Sequence, residues 1–123
     1  ANPASPFVAS FLGEANIRKL EASEGYARLN GSLIPVSEEG EVLIAIRPEH
    51  IKIGQAESRD QVGVEGIVED SVFMGPLAKI VVRVGNQKLK IYSESRIIQR
   101  IKVGETVHLH WNTAEMKVYK PEK

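Results

Sequence analysis

The chain has 123 residues, enough for one compact domain or two very small modules. Hydrophobic residues make up 42% and charged residues 26%, which excludes a disordered or fibrous chain. Sixteen basic residues balance sixteen acidic ones, so bulk charge points neither to nucleic acid nor to a membrane surface. The balance hides an asymmetry: residues 1–62 hold nine acidic and six basic residues, and residues 63–123 hold seven and ten. There is no cysteine, so neither a disulfide frame nor thiol chemistry is available, which fits a reducing compartment. No apolar run approaches the length of a membrane span. The opening Ala1-Asn2-Pro3 carries no methionine and no signal-like apolar region, and is read as the start of a piece of a longer protein.

In chain order, Ser5 is a natural helix N-cap and Pro6 suits the first helical position. Phe7, Val8, Phe11 and Leu12 then recur at helical spacing, and Gly13 suits a left-handed stop. This predicts a two-turn helix that must pack on something, being too short to stand alone in water. Short strands are expected from there on, near 15–20, 26–29 and 32–36, punctuated by Gly25, Asn30-Gly31 and Pro35. Residues 42–46 form a continuous apolar run that Pro48 stops, so Arg47, Glu49 and His50 surface where a buried strand ends. Residues 54–63 read as a polar loop. A long strand is expected over 64–74, with Gly66 as its bulge or bend. Strands over 77–84 and 88–92 follow; in the second, Leu89 and Ile91 face one way and Lys88, Lys90 and Tyr92 the other. Residues 93–101 could be a short helical turn or a connecting strand. A strand over 106–111 alternates Val107, Leu109 and Trp111 with Thr106, His108 and His110, and a last strand follows over 116–119. Many short strands between turns predict a mainly β chain, an antiparallel barrel or sandwich compatible with the five-stranded partly open barrel.

Four stretches, in order, carry a resemblance. Pro3-Ala-Ser-Pro-Phe-Val-Ala-Ser-Phe-Leu-Gly-Glu-Ala-Asn16 resembles the segment leaving the nucleotide-binding domain in ABC importer ATPase subunits. Ile44-Ala-Ile-Arg-Pro-Glu-His50 resembles the Arg-Pro-Glu corner of their C-terminal domain, Gly66-Ile-Val-Glu-Asp-Ser-Val-Phe-Met-Gly75 its long strand, and Gly104-Glu-Thr-Val-His-Leu109 its late turn and strand. The chain therefore resembles the transport-associated oligonucleotide-binding-like (TOBE) domain of the subunits serving polyamine, ferric iron, sulfate and maltose-type importers. The resemblance implies OB-like antiparallel barrels, with residues 1–14 as a short N-terminal helix linking to an absent ATPase core and residues 15–123 as the regulatory domain. It implies a non-catalytic role in regulation and dimerisation. The partners would be the subunit's own ATPase core, a second copy of the chain and, indirectly, the transporter membrane subunits, at the cytoplasmic inner face of the membrane. A small-molecule or protein regulator is a further candidate partner. ATP and Mg belong by resemblance to the absent core, since the chain has neither a phosphate-cradling Gly-x-x-x-x-Gly-Lys-[Ser/Thr] loop nor a Leu-Ser-Gly-Gly-Gln signature. No cofactor, metal or catalytic residue is expected here. Related oxyanion-binding modules carry a Ser-Ala-Arg-Asn run, which Glu14-Ala-Asn-Ile-Arg18 does not match.

Arg47, Glu49 and His50 are the sharpest site candidates, for a ligand or an interface. A plainer reading, in which the corner sets the fold, is preferred. Lys79, Arg83, Lys88 and Lys90 form a candidate basic face with only Tyr92 for base stacking, so nucleic acid is not expected and a solvated or subunit-facing surface is. Phe7, Phe11, Phe73 and Trp111 are read as core or interface anchors, the first two against the absent ATPase core. His108 and His110 share a face but lack the further ligands of a zinc site. The competing functions are a sensor for an oxyanion or transported solute and a free-standing nucleic-acid-binding barrel.

Overall fold

The computed structural model describes residues 14–121. The helix expected over residues 5–12, and with it Phe7 and Phe11, lies outside the described residues. Two five-stranded antiparallel sheets make up the fold. The first contains β1 (Asn16–Ser23), β2 (Tyr26–Leu29), β3 (Ser32–Pro35), β4 (Gly40–Ile46) and β10 (Met116–Tyr119), in the order β10-β4-β1-β2-β3. The second contains β5 (Lys52–Ile53), β6 (Gln61–Met74), β7 (Leu77–Val84), β8 (Gln87–Glu94) and β9 (Thr106–Asn112), in the order β5-β9-β6-β7-β8. The ambiguous stretch before β9 holds a single helical turn, α1 (Ser95–Ile98).

The two sheets repeat one plan. In each, a three-strand meander is followed by a strand that returns beside the first: β4 beside β1, and β9 beside β6. A 3-10 turn follows both returning strands, Pro48–His50 after β4 and Thr113–Glu115 after β9. The chain then crosses over. β5 joins the second sheet on β9, and β10 joins the first sheet on β4. Each unit thus lends its last strand to the other, and neither sheet is complete without both halves of the chain.

Alternation builds the shared core. Val62, Val64 and Val68 of β6, Ile80, Val82 and Val84 of β7, Leu89 and Ile91 of β8, and Leu109 and Trp111 of β9 are buried, as are Leu20, Val42, Ile44 and Ile46 from the first sheet. Trp111 is 1% exposed and is a core anchor. Phe73 is 51% exposed and takes no part in the core; it pairs with Ala78 near the tip of the β6–β7 hairpin. Gly66 is not the bulge. The register shift falls between Val68 and Asp70, at Glu69. Gly66 is small for another reason: a Cβ there would lie 2.5 Å from Val82 Cγ1 and 2.6 Å from the Arg83 carbonyl oxygen. The glycine lets β6 and β7 approach closely.

β8 ends the second sheet, and an open strand edge invites pairing with other chains. Side chains of β1 close it. Asn16, 2% exposed, donates from Nδ2 to the Lys90 carbonyl at 2.9 Å, and its Oδ1 accepts the Lys90 N–H at 2.8 Å. Arg18 donates to the Lys88 carbonyl at 2.7 Å, and Gln87 Nε2 to the Lys19 carbonyl at 3.2 Å. The Tyr92 hydroxyl donates to the Glu14 carboxylate. These contacts share one antiparallel register, each step back along β1 matched by a step forward along β8. Side chains here replace a main-chain ladder and join the two sheets.

Candidate interaction surface

The corner after β4 is built locally. Arg47 is extended, at φ −74° and ψ 141°, as a residue before proline must be. Pro48 opens the 3-10 turn and is buried, and Ile51 behind it is fully buried, so the turn is anchored from below. Arg47 and Glu49 then point back at each other, with Nε 2.7 Å from Oε2. That hydrogen-bonded guanidinium holds the Glu49 carboxyl below the usual carboxylate range. Lys52 Nζ donates to the Glu49 carbonyl at 2.9 Å. His50 does not join this pair. It turns toward the second 3-10 turn, where its Nε2 lies 3.9 Å from Glu115 Oε2. Those two residues occupy equivalent positions in the two repeated units, so they meet at the crossover. Glu115 also accepts the Asn112 N–H at 3.2 Å in a capping box.

The three corner residues therefore divide. Arg47 and Glu49 are surface partners, while His50 belongs to the joint between the repeats. Beside the corner lies a groove of about 380 Å³. Its apolar lining is Ile53, Leu77 and Ile97; Tyr92, Glu49 and Glu94 add polar groups. Leu77 is 51% and Ile97 37% exposed. Glu94 is itself paired with Arg96, Nε to Oε2 at 2.8 Å. An apolar floor with a rim of both charge signs suits a protein segment better than a charged small molecule. No sequence pattern announces this groove, because the corner, β5, β7, β8 and α1 each supply only one to three residues.

At its end the groove meets the Tyr92–Glu14 contact. The Glu14 carboxylate that accepts the Tyr92 phenol pushes the phenol's pKa up to about 12, and the same hydrogen bond holds Glu14 below its ordinary range. Because the folded value lies above the ordinary value of about 10, this contribution to stability is fully present below pH ~10. It is lost as pH rises from there through about 12. In an absorbance titration of tyrosinate, Tyr92→Phe is expected to remove the component near 12; an unchanged high-pH limb would contradict this assignment.

The basic face is present on β7 and β8, but it is answered by acids. Arg83 and Lys88 face each other across the strands, and both reach Glu69 on the bulge, at 3.0 and 3.1 Å. Lys79 lies opposite Tyr92, and Lys79 and Lys90 act on Glu14. Glu69→Gln is expected to cost no more than ~1 kcal/mol in urea unfolding, since these are surface pairs. It should also leave the strip more basic and raise retention on a cation exchanger; a larger stability loss would mean that the bulge depends on the ion pairs. His108 sits 3.7 Å from Glu65, and His110 Nδ1 lies 3.0 Å from the Gly54 carbonyl. Among the described residues no three His, Cys, Asp or Glu side chains gather as metal ligands.

A family model described as "TOBE domain" matches residues 44–118, opening three residues before the Arg47 corner. The chain belongs to the TOBE domain family. Its relatives are importer ATP-binding proteins, in line with the resemblance read from the four sequence stretches. It is 29% identical over 132 residues to the Fe(3+) ions import ATP-binding protein FbpC of Fusobacterium nucleatum, covering 95% of this chain and 33% of that protein. It is 33% identical over 129 residues to the molybdate/tungstate import ATP-binding protein WtpC of Pyrococcus abyssi, covering 97% and 36%. The spermidine/putrescine import ATP-binding protein PotA of Bacillus thuringiensis is 30% identical over 112 residues, covering 89% and 28%. The TOBE chain thus spans about a third of the length of these relatives. Among solved structures, the cytoplasmic molybdate-binding protein ModG superposes with a TM-score of 0.67 at 10% identity, covering 86% of this chain and 96% of that one. At that identity the likeness shows the fold alone: mainly β, OB-type, in two curled antiparallel sheets.

Proposed function

We propose that this TOBE domain is the non-catalytic regulatory and dimerisation part of the ATP-binding subunit of an ABC-type solute importer. The observation that carries this reading is coverage: relatives named as importer ATP-binding proteins align with nearly all of this chain but only about a third of their own length. ATP and Mg are then the business of the remaining two thirds, and this domain adds surfaces. Its partners would be that ATPase core, a second copy of itself and, through the core, the membrane subunits at the inner face of the membrane. The chemistry of the described residues is consistent with a surface role. The groove offers apolar contacts and paired charges.

Sedimentation equilibrium on the 123-residue chain tests the dimer, with a concentration-dependent two-fold mass as the expected result. A monomer throughout would remove dimerisation by this domain alone, and ATP turnover by the chain would sink the non-catalytic reading. The competing role, a sensor of an oxyanion or transported solute, draws support from the ligands in the names of WtpC and ModG. Calorimetry with molybdate, tungstate, sulfate, a ferric chelate and spermidine separates the two. Heat saturating at one ligand per chain would favour the sensor; its absence at millimolar concentration favours the surface role.

A further inference from the structure

Exposed apolar side chains gather at one end of the second sheet. Val72, Phe73, Met74 and Leu77 lie at the tip of the β6–β7 hairpin, and Val103 lies in the turn before β9. These are five of the eight large apolar side chains exposed among the described residues, so they form a patch rather than a scatter. We propose that a second copy of the chain covers this end, pairing Asp70–Met74 of its β6 antiparallel with the same stretch about a two-fold axis at Val72. The inference deepens the dimerisation reading above and rests on it.

The occupant is a strand because what this edge leaves open is main chain. β9 pairs with β6 only over Gln61–Ile67, and the turn before β9 adds two bonds at Val68. There the Gly104 N–H donates to the Val68 carbonyl at 2.7 Å, and the Val68 N–H to the Glu105 carbonyl at 2.9 Å. Beyond that point β6 runs on to Met74 with β7 on one side and, among the described residues, no strand on the other. The hairpin fixes which groups face outward. Met74 and Leu77 flank a two-residue loop, so they form a hydrogen-bonded pair, and so do Val72 and Lys79 two places on. The main-chain groups of Ser71 and Phe73 therefore point away from β7. The Ser71 N–H agrees: it donates to the adjacent Asp70 carboxylate at 2.9 Å. That exposed bond is worth about 1 kcal/mol net and yields to a main-chain carbonyl. A second β6 centred on Val72 sets its Phe73 opposite Ser71 and its Ser71 opposite Phe73, so each outward N–H meets an outward carbonyl. Centring on Ser71 or Phe73 instead would waste one of them on the bulge at Glu69 or the turn at Gly75. Charge does not oppose the pairing, since Asp70 meets Met74 of the other copy rather than its like. The two Val72 side chains come together on one face with Met74 on either side, which removes the most apolar part of the patch from water.

The absence of cysteine makes single-thiol variants of the 123-residue chain clean probes. Val72→Cys should give a disulfide-linked dimer with oxidised glutathione, because non-hydrogen-bonded partners lie ~4.5 Å apart at Cα, within disulfide reach. Asp70→Cys, which would face Met74 of the other copy, and Leu33→Cys, on exposed β3 of the other sheet, should link roughly ten-fold more slowly. Phe73→Pro removes an outward N–H and leaves the β7 ladder whole, so it should abolish linking at Val72→Cys. Alone, it should return the chain to monomer mass in sedimentation equilibrium with an unchanged far-ultraviolet spectrum. If Phe73→Pro misfolds, Phe73→Lys takes its place with the same expectation, since an edge lysine blocks pairing. Linking at Val72→Cys no faster than at Leu33→Cys, or a dimer that survives a folded Phe73 variant, would overturn this surface and leave the dimerisation reading standing. An unmodified chain that is monomeric at every concentration overturns both.

Discussion

Gly66→Ala is expected to destabilise the domain by about 3 kcal/mol, near the upper end for forcing extra volume into a packed core. The added carbon would sit 2.5 Å from Val82 Cγ1, 2.6 Å from the Arg83 carbonyl oxygen and 2.9 Å from Val84 Cγ2. A side-chain tip could swing away. A carbonyl oxygen held in the β6–β7 ladder cannot, because Ile67 pairs with Arg83 at the next position. Relief therefore requires the two strands to separate, and their neighbours Val64 and Val68 are almost fully buried. The melting midpoint should fall by roughly 10 °C or more for a domain of this size. Gly75→Ala is the control. Gly75 has φ 74° and no atom near its would-be Cβ, so only backbone strain of ~1 kcal/mol is expected there. Equal melting losses at the two positions would show that crowding at Gly66 is not the cause.

Gly66 also illustrates what a sequence reveals and what it withholds. A glycine inside a strand pattern signals either a bulge or a close approach, and the letters alone do not separate these. The structure puts the bulge at Glu69, where no glycine is needed. By contrast, the run Lys88-Leu-Lys-Ile91 is legible, because burial on one face enforces a period of two and any slip would bury a lysine. The corner is legible for a similar reason: Pro48 fixes its own φ and restricts Arg47, so strand end and turn follow from one residue. The exchange of β5 and β10 between the sheets is hidden. β5 has only two residues, and the equivalent positions Ile46 and Trp111, Arg47 and Asn112, or His50 and Glu115 share shape of backbone rather than chemistry. Adjacency along the chain groups His50 with Arg47 and Glu49. In space it faces Glu115, because a 3-10 turn sends successive side chains in different directions. The groove is equally invisible, being assembled from side chains far apart in sequence.

Asn16→Ala is expected to cost about 2–4 kcal/mol, out of proportion to a single polar side chain. The residue is 2% exposed and serves both main-chain groups of Lys90, donating to its carbonyl and accepting its N–H. Alanine leaves that donor and that acceptor at the join between sheets without their partner, at ~1–3 kcal/mol for each group that water cannot reach. Asn16→Asp is a sharper probe. An ionised aspartate keeps the acceptor for the Lys90 N–H but loses the donor and sets a carboxylate against the Lys90 carbonyl. Burial of that charge without a partner should raise its pKa, so the Asp variant should gain stability as pH falls toward 4, where the parent gains none from this site. In urea, the midpoint of the Ala variant should drop with little change in slope, marking a loss of stability rather than of compactness. The Lys90 amide should exchange faster than those deep in β7, because the β8 edge opens first when its cover is removed. A loss below ~1 kcal/mol, the size of one ordinary hydrogen bond, would mean that the Arg18–Lys88 and Gln87–Lys19 contacts hold the edge without Asn16. The expected larger loss makes Asn16 the pin that fixes β1 to β8. The groove wall at Tyr92, two residues further along β8, then keeps its place only while that pin holds.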